Sequence, residues 1–176
     1  MNMTDLVLDL SAVNRTDKAA FVQALGGVFE HSPWVAERAF AARPFAGVAA
    51  LHGAMVQAVQ QSAPDEQLKL LRAHPELAGK EAQAGTLTAS STAEQAGAGL
   101  TTLSRAEMAR IVQLNRDYRN KFGFPFIIAV KQHRKSGIFA EFERRLTNDA
   151  DTELAQALAQ VFIITRQRLN AIFSRQ

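Results

Sequence analysis

The C-terminal part of the chain reads LAQALAQVFIITRQRLNAIF at residues 154–173. Its apolar residues recur at steps of three, four and seven, the spacing that places side chains along one face of an α-helix. They are Leu154, Leu158, Val161, Phe162, Leu169, Ile172 and Phe173. Because such a face must be covered by other apolar surface, the stretch predicts a long helix packed against further helices.

Helical spacing continues through most of the chain. Short breaks containing proline, such as HSP, RPF and SAP, suit helix ends. Two patterns, Ser91-x-x-Glu94 and Ser104-x-x-Glu107, are typical of capping boxes, in which serine and glutamate satisfy each other's backbone N–H groups at a helix start. Further helices are expected at 17–30, 33–42, 46–61, 64–73 and 137–147. We therefore expect an all-α, single-domain bundle of about eight helices over residues 1–176.

Two stretches depart from this pattern. The segment AGKEAQAGTLTASS, residues 78–91, is predicted to be a loop longer than most connections, and such loops are often functional. The segment FGFPFIIAV, residues 122–130, has strand propensity, and Pro125 favours an extended Phe124. A lone strand among helices has no ladder partner, so its backbone groups need turns, side chains, water or a ligand. Residues 126–130 are therefore a candidate for binding a polar molecule through the backbone.

Composition limits the possible functions. The chain has 176 residues with 20 basic and 17 acidic side chains, and this small, dispersed excess of positive charge does not predict nucleic-acid binding. Without cysteine there is no disulfide, thiolate nucleophile or cysteine-based zinc site. No apolar run approaches the roughly 20 residues that cross a bilayer, and no secretory signal is recognisable. We expect a cytoplasmic protein that does not bind membranes.

Four histidines could carry chemistry. His31 lies in a helix break and His133 in the basic run KQHRK, where a solvated role is the simpler interpretation. His52 lies in a helical apolar pattern and is expected to be packed and hydrogen-bonded. No HExxH or HxH pair occurs, so no metal site is expected. His74, in HPELAGK at 74–80, could either interact favourably with a helix C-terminus or carry a proton.

The remaining polar candidates are equally ambiguous from local sequence. Glu94 is explained by a capping box, or it belongs to a helix start at which an anionic or amide-rich ligand docks. Gln95 would add an amide that both donates and accepts hydrogen bonds. Arg166 and Arg168 lie on opposite margins of the C-terminal apolar stripe. Either could reach solvent or bind a carboxylate, and spacing does not choose between them.

Three segments together resemble, in the family's own order, the signature segments of the OHCU decarboxylases. They are HPELAGK at 74–80, SSTAEQAGAGL at 90–100 and NRDYRNKFGFPFIIAV at 115–130. The resemblance implies a carboxy-lyase that converts 2-oxo-4-hydroxy-4-carboxy-5-ureidoimidazoline (OHCU) to (S)-allantoin in urate degradation. It also implies an all-α fold, a homodimer and a reaction without a cofactor. The expected partners are the small-molecule substrate and product, not nucleic acid.

The resemblance also implies which residues form the site. The catalytic residues would be His74 as acid/base and Glu94 as carboxylate. An arginine of the final helix completes the site, and the resemblance favours Arg168 over Arg166. The other substrate-binding positions would be Pro75, Ser91, Thr92, Ala93, Glu94 and Gln95, with the backbone of Phe126, Ile127, Ile128, Ala129 and Val130.

Three other functions were compared with this one. A helical ligand-binding protein could keep the pocket and lack turnover, although the presence of His74, Glu94 and Gln95 argues against it. A nucleic-acid module built on KQHRKSG, residues 131–137, would need a basic face that the mixed charges do not provide. A hydrolase using a His/Glu pair would cleave esters or amides without releasing carbon dioxide.

Overall fold

The structure, a computed structural model, describes residues 9–174. Within this range every regular element is helical and no strand occurs, which confirms the all-α expectation. Two 3₁₀ turns, Phe40–Ala42 and Val130–Gln132, accompany the α-helices. The α-helices are α1 Leu10–Arg15, α2 Lys18–Leu25, α3 Trp34–Ala39, α4 Val48–Gln60, α5 Pro64–Arg72, α6 Lys80–Ala84, α7 Ala89–Gly97, α8 Arg105–Phe122, α9 Lys135–Arg145 and α10 Ala150–Phe173.

Two short helices were not expected from the sequence. Helix α1 begins after Asp9, whose carboxylate accepts a hydrogen bond from the Ser11 N–H at 3.0 Å. Helix α6 lies inside the expected loop at 78–91 and ends at Gly85, which has a left-handed φ of 71°. Helices α1 and α6 are only six and five residues long, and neither carries an apolar spacing that could be recognised in the sequence.

The chain forms two compact units. Among the described residues, unit 1 consists of those from Asp9 to Leu70 together with those from Phe162 to Ser174, and unit 2 is Leu71–Val161. The chain passes from unit 1 into unit 2 within α5 and returns within α10. The expectation of a single domain over residues 1–176 stays a prediction.

In unit 1, α3 packs against both α2 and α4. The side chains between these helices are apolar, and Phe21, Leu51 and Met55 have no exposed surface. The ring of Phe21 meets that of Phe40 edge-on, with 5.3 Å between centroids. These helices are held by apolar burial of their inward faces.

In unit 2, α8 is defined at both ends by its sequence. Ser104 and Glu107 form the expected capping box at its start, and Gly123 ends it with a left-handed φ of 79°. Tyr118 of α8 is fully buried and lies at the centre of an aromatic cluster. The rings within 4.7–5.9 Å of its own are Phe122, Phe124, Phe126 and Phe142.

The capping box expected at Ser91 and Glu94 is wrong. Helix α7 begins at Ala89, and the side chain of Thr88 caps it by accepting a hydrogen bond from the Ser91 N–H at 3.2 Å. Because Thr88 supplies the capping hydroxyl three residues earlier, Ser91 and Glu94 lie inside the helix. The buried Ser91 therefore faces the interior of unit 2 instead of capping a helix end.

The strand propensity of residues 122–130 does not produce a strand. The chain leaves α8 at Gly123, runs without regular structure through Ala129 and enters the 3₁₀ turn Val130–Gln132. Residues 124–130 are all buried, and side chains bind backbone groups of this segment. The segment is apolar because it is buried, not because it pairs in a sheet.

Helix α10 has a more polar buried face than its sequence predicts. Val161, Leu169 and Phe173 are buried as expected, and Leu154, Leu158, Phe162 and Ile172 are half-buried. Three polar residues are also buried on this helix, namely Glu153, Thr165 and Arg168. Among the helices of residues 9–174, none combines the length and apolar character needed to cross a membrane.

Candidate active site

His74 lies two residues after the end of α5 at Arg72, in the helix-end position that the sequence predicts. Its backbone N–H donates to the carbonyl of Leu71 at 3.2 Å, which completes the last turn of the helix. The residue is only 7% exposed, and Pro75 behind it is half-buried. A histidine can interact favourably with a helix C-terminus from the protein surface. That interaction therefore does not explain why His74 is buried.

The segment after His74 is fixed by hydrogen bonds within unit 2. The Leu77 carbonyl accepts from Asn115 Nδ2 of α8 at 3.0 Å, and Glu76 forms an ion pair with Arg119 at 2.8 Å. Ala78 has a left-handed φ of 50°. At Gly79 a Cβ atom would stand 2.7 Å from the Cβ of Glu76, so only glycine fits there without a shift. The backbone that follows His74 is therefore held in one conformation.

Helix α7 is tied to this segment by Gln95. The buried Gln95 accepts from the Ala78 N–H through Oε1 at 2.9 Å, and its Nε2 lies 3.5 Å from the Glu76 carbonyl. Ser91, one turn earlier on the same face, is also buried. Side chains from this face of α7 and the His74 segment thus belong to one part of unit 2.

The other residues proposed on α7 have different surroundings. Glu94 is half-buried, whereas Thr92 and Ala93 are exposed. The Thr92 hydroxyl donates to the Thr88 carbonyl at 2.9 Å within the helix. Ser91, Glu94 and Gln95 therefore share the inward part of α7, and Thr92 and Ala93 face outward.

Residues 126–130 lie close to α7, because the 3₁₀ turn at Val130–Gln132 packs against that helix. The Ile127 carbonyl accepts from Arg145 Nη1 at 2.6 Å. The Ala129 N–H donates to Gln160 Oε1 at 2.9 Å. Unit 2 thus gathers the His74 segment, the inward face of α7 and the 126–130 backbone.

A buried ionic network supports this backbone. Glu153 accepts hydrogen bonds from Tyr118 at 2.5 Å, from Arg145 Nε at 2.7 Å and from Asn148 at 2.9 Å. The guanidinium of Arg145 also lies over the ring of Phe126, 4.4 Å from its centroid. Burial, reinforced by the hydrogen bond to Glu153, raises the pKa of Tyr118 above its ordinary value, so the phenol keeps its proton.

Arg168 belongs to unit 1, where it is 8% exposed. Its Nη1 donates to Glu30 Oε2 at 2.7 Å and to the Val28 carbonyl at 3.2 Å, and Glu30 is itself buried. Arg166 is half-buried and bonds to Asn170 at 3.1 Å on the same helix. The two arginines, which sequence spacing treats as equivalent, thus differ: Arg168 is a fixed, buried cation and Arg166 lies at the surface.

The other three histidines have structural or surface positions. His52 is half-buried, and its Nε2 lies 3.0 Å from the Thr165 hydroxyl, as a packed, hydrogen-bonded side chain should. Burial, and then the charge of Arg166, lowers its pKa. His31 is exposed and His133 ends the 3₁₀ turn at Val130–Gln132. Within residues 9–174 no three His, Asp or Glu side chains are gathered as a metal site would need.

Sequence reasoning missed the residues that support the candidate site. Arg145 follows Ile138 and Phe142 at helical spacing, so a charged residue occupies an apolar position of α9. Such a charge requires a buried partner, which was a usable signal. The identity of that partner, Glu153, and the role of Gln160 depend on tertiary structure and had no local signal.

Known proteins are similar to this chain in sequence. The family model described as OHCU decarboxylase matches residues 14–170. The chain is 46% identical over 169 residues to the 2-oxo-4-hydroxy-4-carboxy-5-ureidoimidazoline decarboxylase of Haloferax volcanii, covering 96% of this chain and 98% of that protein. It is 40% identical to the uric acid degradation bifunctional protein of a Bacillus species, covering 95% of this chain but 32% of that longer protein.

A solved structure agrees with these sequence matches. The crystal structure of (S)-allantoin synthase superimposes with a TM-score of 0.73 at 30% identity, covering 94% of this chain and 54% of that one. The family model spans most of the described residues and includes all three signature segments. The chain belongs to the OHCU decarboxylase family.

Proposed function

We propose that this chain decarboxylates OHCU to (S)-allantoin in urate degradation, with His74 as the group that moves the proton. The main support for this reaction is the near full-length match to the OHCU decarboxylase of Haloferax volcanii. The family model supports the same assignment over residues 14–170. The chain is accordingly a carboxy-lyase.

The substrate explains how such a protein can work with side chains alone. Loss of carbon dioxide breaks the bond between the carboxylate and its ring carbon and leaves an electron pair. The adjacent ring imine accepts that pair, which is the task of pyridoxal phosphate or thiamine diphosphate in other decarboxylases. A proton must then reach the neighbouring ring carbon from one face to give the (S) product.

His74 suits this proton transfer. An imidazole has an ordinary pKa of about 6.5, so it both accepts and donates a proton near neutral pH. Its near-complete burial, with the fixed segment 75–79 behind it, holds the ring in one place. We assign it transfer of the proton from the substrate hydroxyl or to the ring carbon, with Glu94 orienting the imidazole or a polar group of the substrate.

Binding of the ring and ureido group is assigned to unit 2. Ser91 and Gln95 lie on the inward face of α7, and the backbone of residues 126–130 supplies N–H and C=O groups. Gln95 has a second task, since its Oε1 fixes the Ala78 N–H. Its Nε2 contact with Glu76 is long at 3.5 Å, so that amide nitrogen is the part that turns to a ligand.

Arg168 is proposed to hold an anionic or carbonyl oxygen of the substrate. Its support is that Glu30 and the Val28 carbonyl fix the guanidinium, so binding would cost little side-chain entropy. The half-buried Arg166 has no such support. Pro75, Thr92 and Ala93 stay substrate-binding predictions from the family resemblance.

Three further properties stay proposals. A cytoplasmic location is supported by the absence of cysteine, a homodimer by the family resemblance, and cofactor independence by the electron sink within the substrate. Sedimentation of the purified chain tests the dimer, since a monomeric mass at assay concentrations would contradict it.

The reaction is tested by making OHCU in place with uricase and hydroxyisourate hydrolase, then following circular dichroism. Rapid formation of (S)-allantoin by the wild-type chain, above the slow racemic decay of the substrate, is expected. A rate equal to that background would leave a ligand-binding protein without turnover. Ester or amide cleavage without carbon dioxide release would indicate a hydrolase.

A further inference from the structure

Two side chains bind the 126–130 backbone on either side of Ile128. Arg145 donates to the carbonyl of Ile127 at 2.6 Å, and Gln160 accepts from the N–H of Ala129 at 2.9 Å. These are the two peptide groups that flank the α-carbon of Ile128. Each peptide unit next to this residue is therefore fixed by one side chain.

Because each peptide unit is planar, these two contacts fix the directions of the Ile128 N–H and C=O groups. Among residues 9–174 the only cis peptide is Arg43–Pro44, so both units are trans. In a trans unit the C=O and N–H point in opposite directions. The Ile127 carbonyl points to Arg145, so the Ile128 N–H points away from it, and the Ile128 carbonyl points away from Gln160 in the same manner.

The Ile128 N–H and C=O are also the groups left for another molecule. Within the described chain neither of them makes a hydrogen bond to protein, although Ile128 is only 3% exposed. One donor and one acceptor on a single residue match a ureido or amide group, which presents both. Buried backbone groups of this kind are expected to be satisfied.

Arg145 is itself fixed, which makes this clamp rigid. It has no exposed surface, and Glu153 binds it through Nε at 2.7 Å while Tyr118 and Asn148 bind the same carboxylate. Its stacking on Phe126 fixes the residue just before the clamped segment. Gln160 is half-buried and approaches from α10.

We propose that Gln160 and Arg145 are positioning residues that hold the Ile128 N–H and C=O in the orientation that binds the ureido group of the substrate. The inference rests on the proposed function, because it takes residues 126–130 as the substrate-binding backbone. Neither side chain is proposed to touch the substrate. Each acts through one peptide unit.

Gln160 provides the clean test, because it is half-buried and is replaced without loss of helix propensity. Gln160→Met keeps the length of the side chain and removes the strong acceptor. We expect the KM for OHCU to rise about five- to tenfold with kcat within about twofold, since the lost contact serves binding in the ground and transition states alike. Gln160→Glu retains an oxygen acceptor and should restore a KM within about twofold of wild type.

Gln156 is the matched control. It lies one turn before Gln160 on α10, is also half-buried and makes no hydrogen bond to residues 126–130 in the described chain. Gln156→Met should leave KM unchanged. A purely structural role for Gln160 would instead lower the melting temperature and the active fraction, and so the apparent kcat, without changing KM.

The second peptide unit is tested with Arg145→Lys. A lysine keeps the positive charge, but it cannot bind the Ile127 carbonyl and the Glu153 carboxylate with a planar fork. A rise in KM like that of Gln160→Met supports the clamp. If wild type is active and Gln160→Met has an unchanged KM, the positioning role is overturned and the proposed function stands. If wild type is inactive, the proposed function and this inference are both overturned.

Discussion

Replacing Glu153 by glutamine tests the buried ionic network of unit 2. Neither Glu153 nor Arg145 has exposed side-chain surface, and Arg145 Nη2 lies 2.5 Å from Glu153 Oε1. The Glu153→Gln variant would keep one amide oxygen to accept from Tyr118, but it would leave the guanidinium without a counter-charge. Removing one partner of a buried pair costs about 3–5 kcal/mol of unfolding free energy. For a chain of this size that corresponds to a melting temperature lower by about 6–20 °C.

The neighbouring surface pair is the matched control. Arg144 and Glu141 are bonded at 2.7 Å, but their side chains are 54% and 31% exposed. Glu141→Gln is therefore expected to cost no more than about 1 kcal/mol. The two variants make the same chemical change, and they differ in whether the remaining arginine is in contact with water.

Urea unfolding followed by circular dichroism at 222 nm measures both costs. Adding Arg145→Met to Glu153→Gln should recover most of the loss, because a neutral replacement of a buried pair removes the stranded charge. If Glu153→Gln is as stable as Glu141→Gln, the buried pair does not hold unit 2 in the way its geometry indicates.

Three further outcomes are expected. Tyr118 is the one tyrosine of the chain, and its raised pKa predicts no phenolate absorbance at 295 nm until the chain unfolds. Stability should fall as pH rises above about 10, because the tyrosine of the unfolded chain loses its proton there and that of the folded chain does not. His52 has a lowered pKa, so its imidazole should titrate by NMR at a lower pH than the ordinary value of about 6.5, and stability should fall as pH drops below that value, where the unfolded chain takes up the proton first. Arg168→Lys should raise KM for OHCU about tenfold or more through loss of a fixed guanidinium, while Arg166→Lys stays within about twofold; equal effects on KM would contradict the choice between them.

The long helices were predictable because their patterns are local. The spacing in residues 154–173 located α10, and Ser104 with Glu107 located the start of α8. The same pattern at Ser91 failed, because Thr88 offers a hydroxyl three residues earlier and the helix begins there. A capping motif shows that a start is possible, and competition between neighbouring caps decides where it occurs.

The candidate site was less predictable from residues alone. Local sequence left His74 and Glu94 with adequate structural explanations, and only the family resemblance assigned them roles. Burial of His74 adds physical support to that assignment. The partners of the 126–130 backbone, Arg145 and Gln160, stand 18 and 31 residues from the groups they bind, a separation that no local pattern encodes.

The proposed role of His74 is to move the proton, and the handedness of the allantoin formed depends on that role. OHCU is generated in place, and the circular dichroism of the allantoin is followed for wild type, His74→Ala and His133→Ala. We expect rapid (S)-allantoin formation by wild type and by His133→Ala, and only the slow racemic background with His74→Ala. Rapid formation of optically active allantoin by folded His74→Ala would contradict the claim and would leave His74 as a buried helix-end residue.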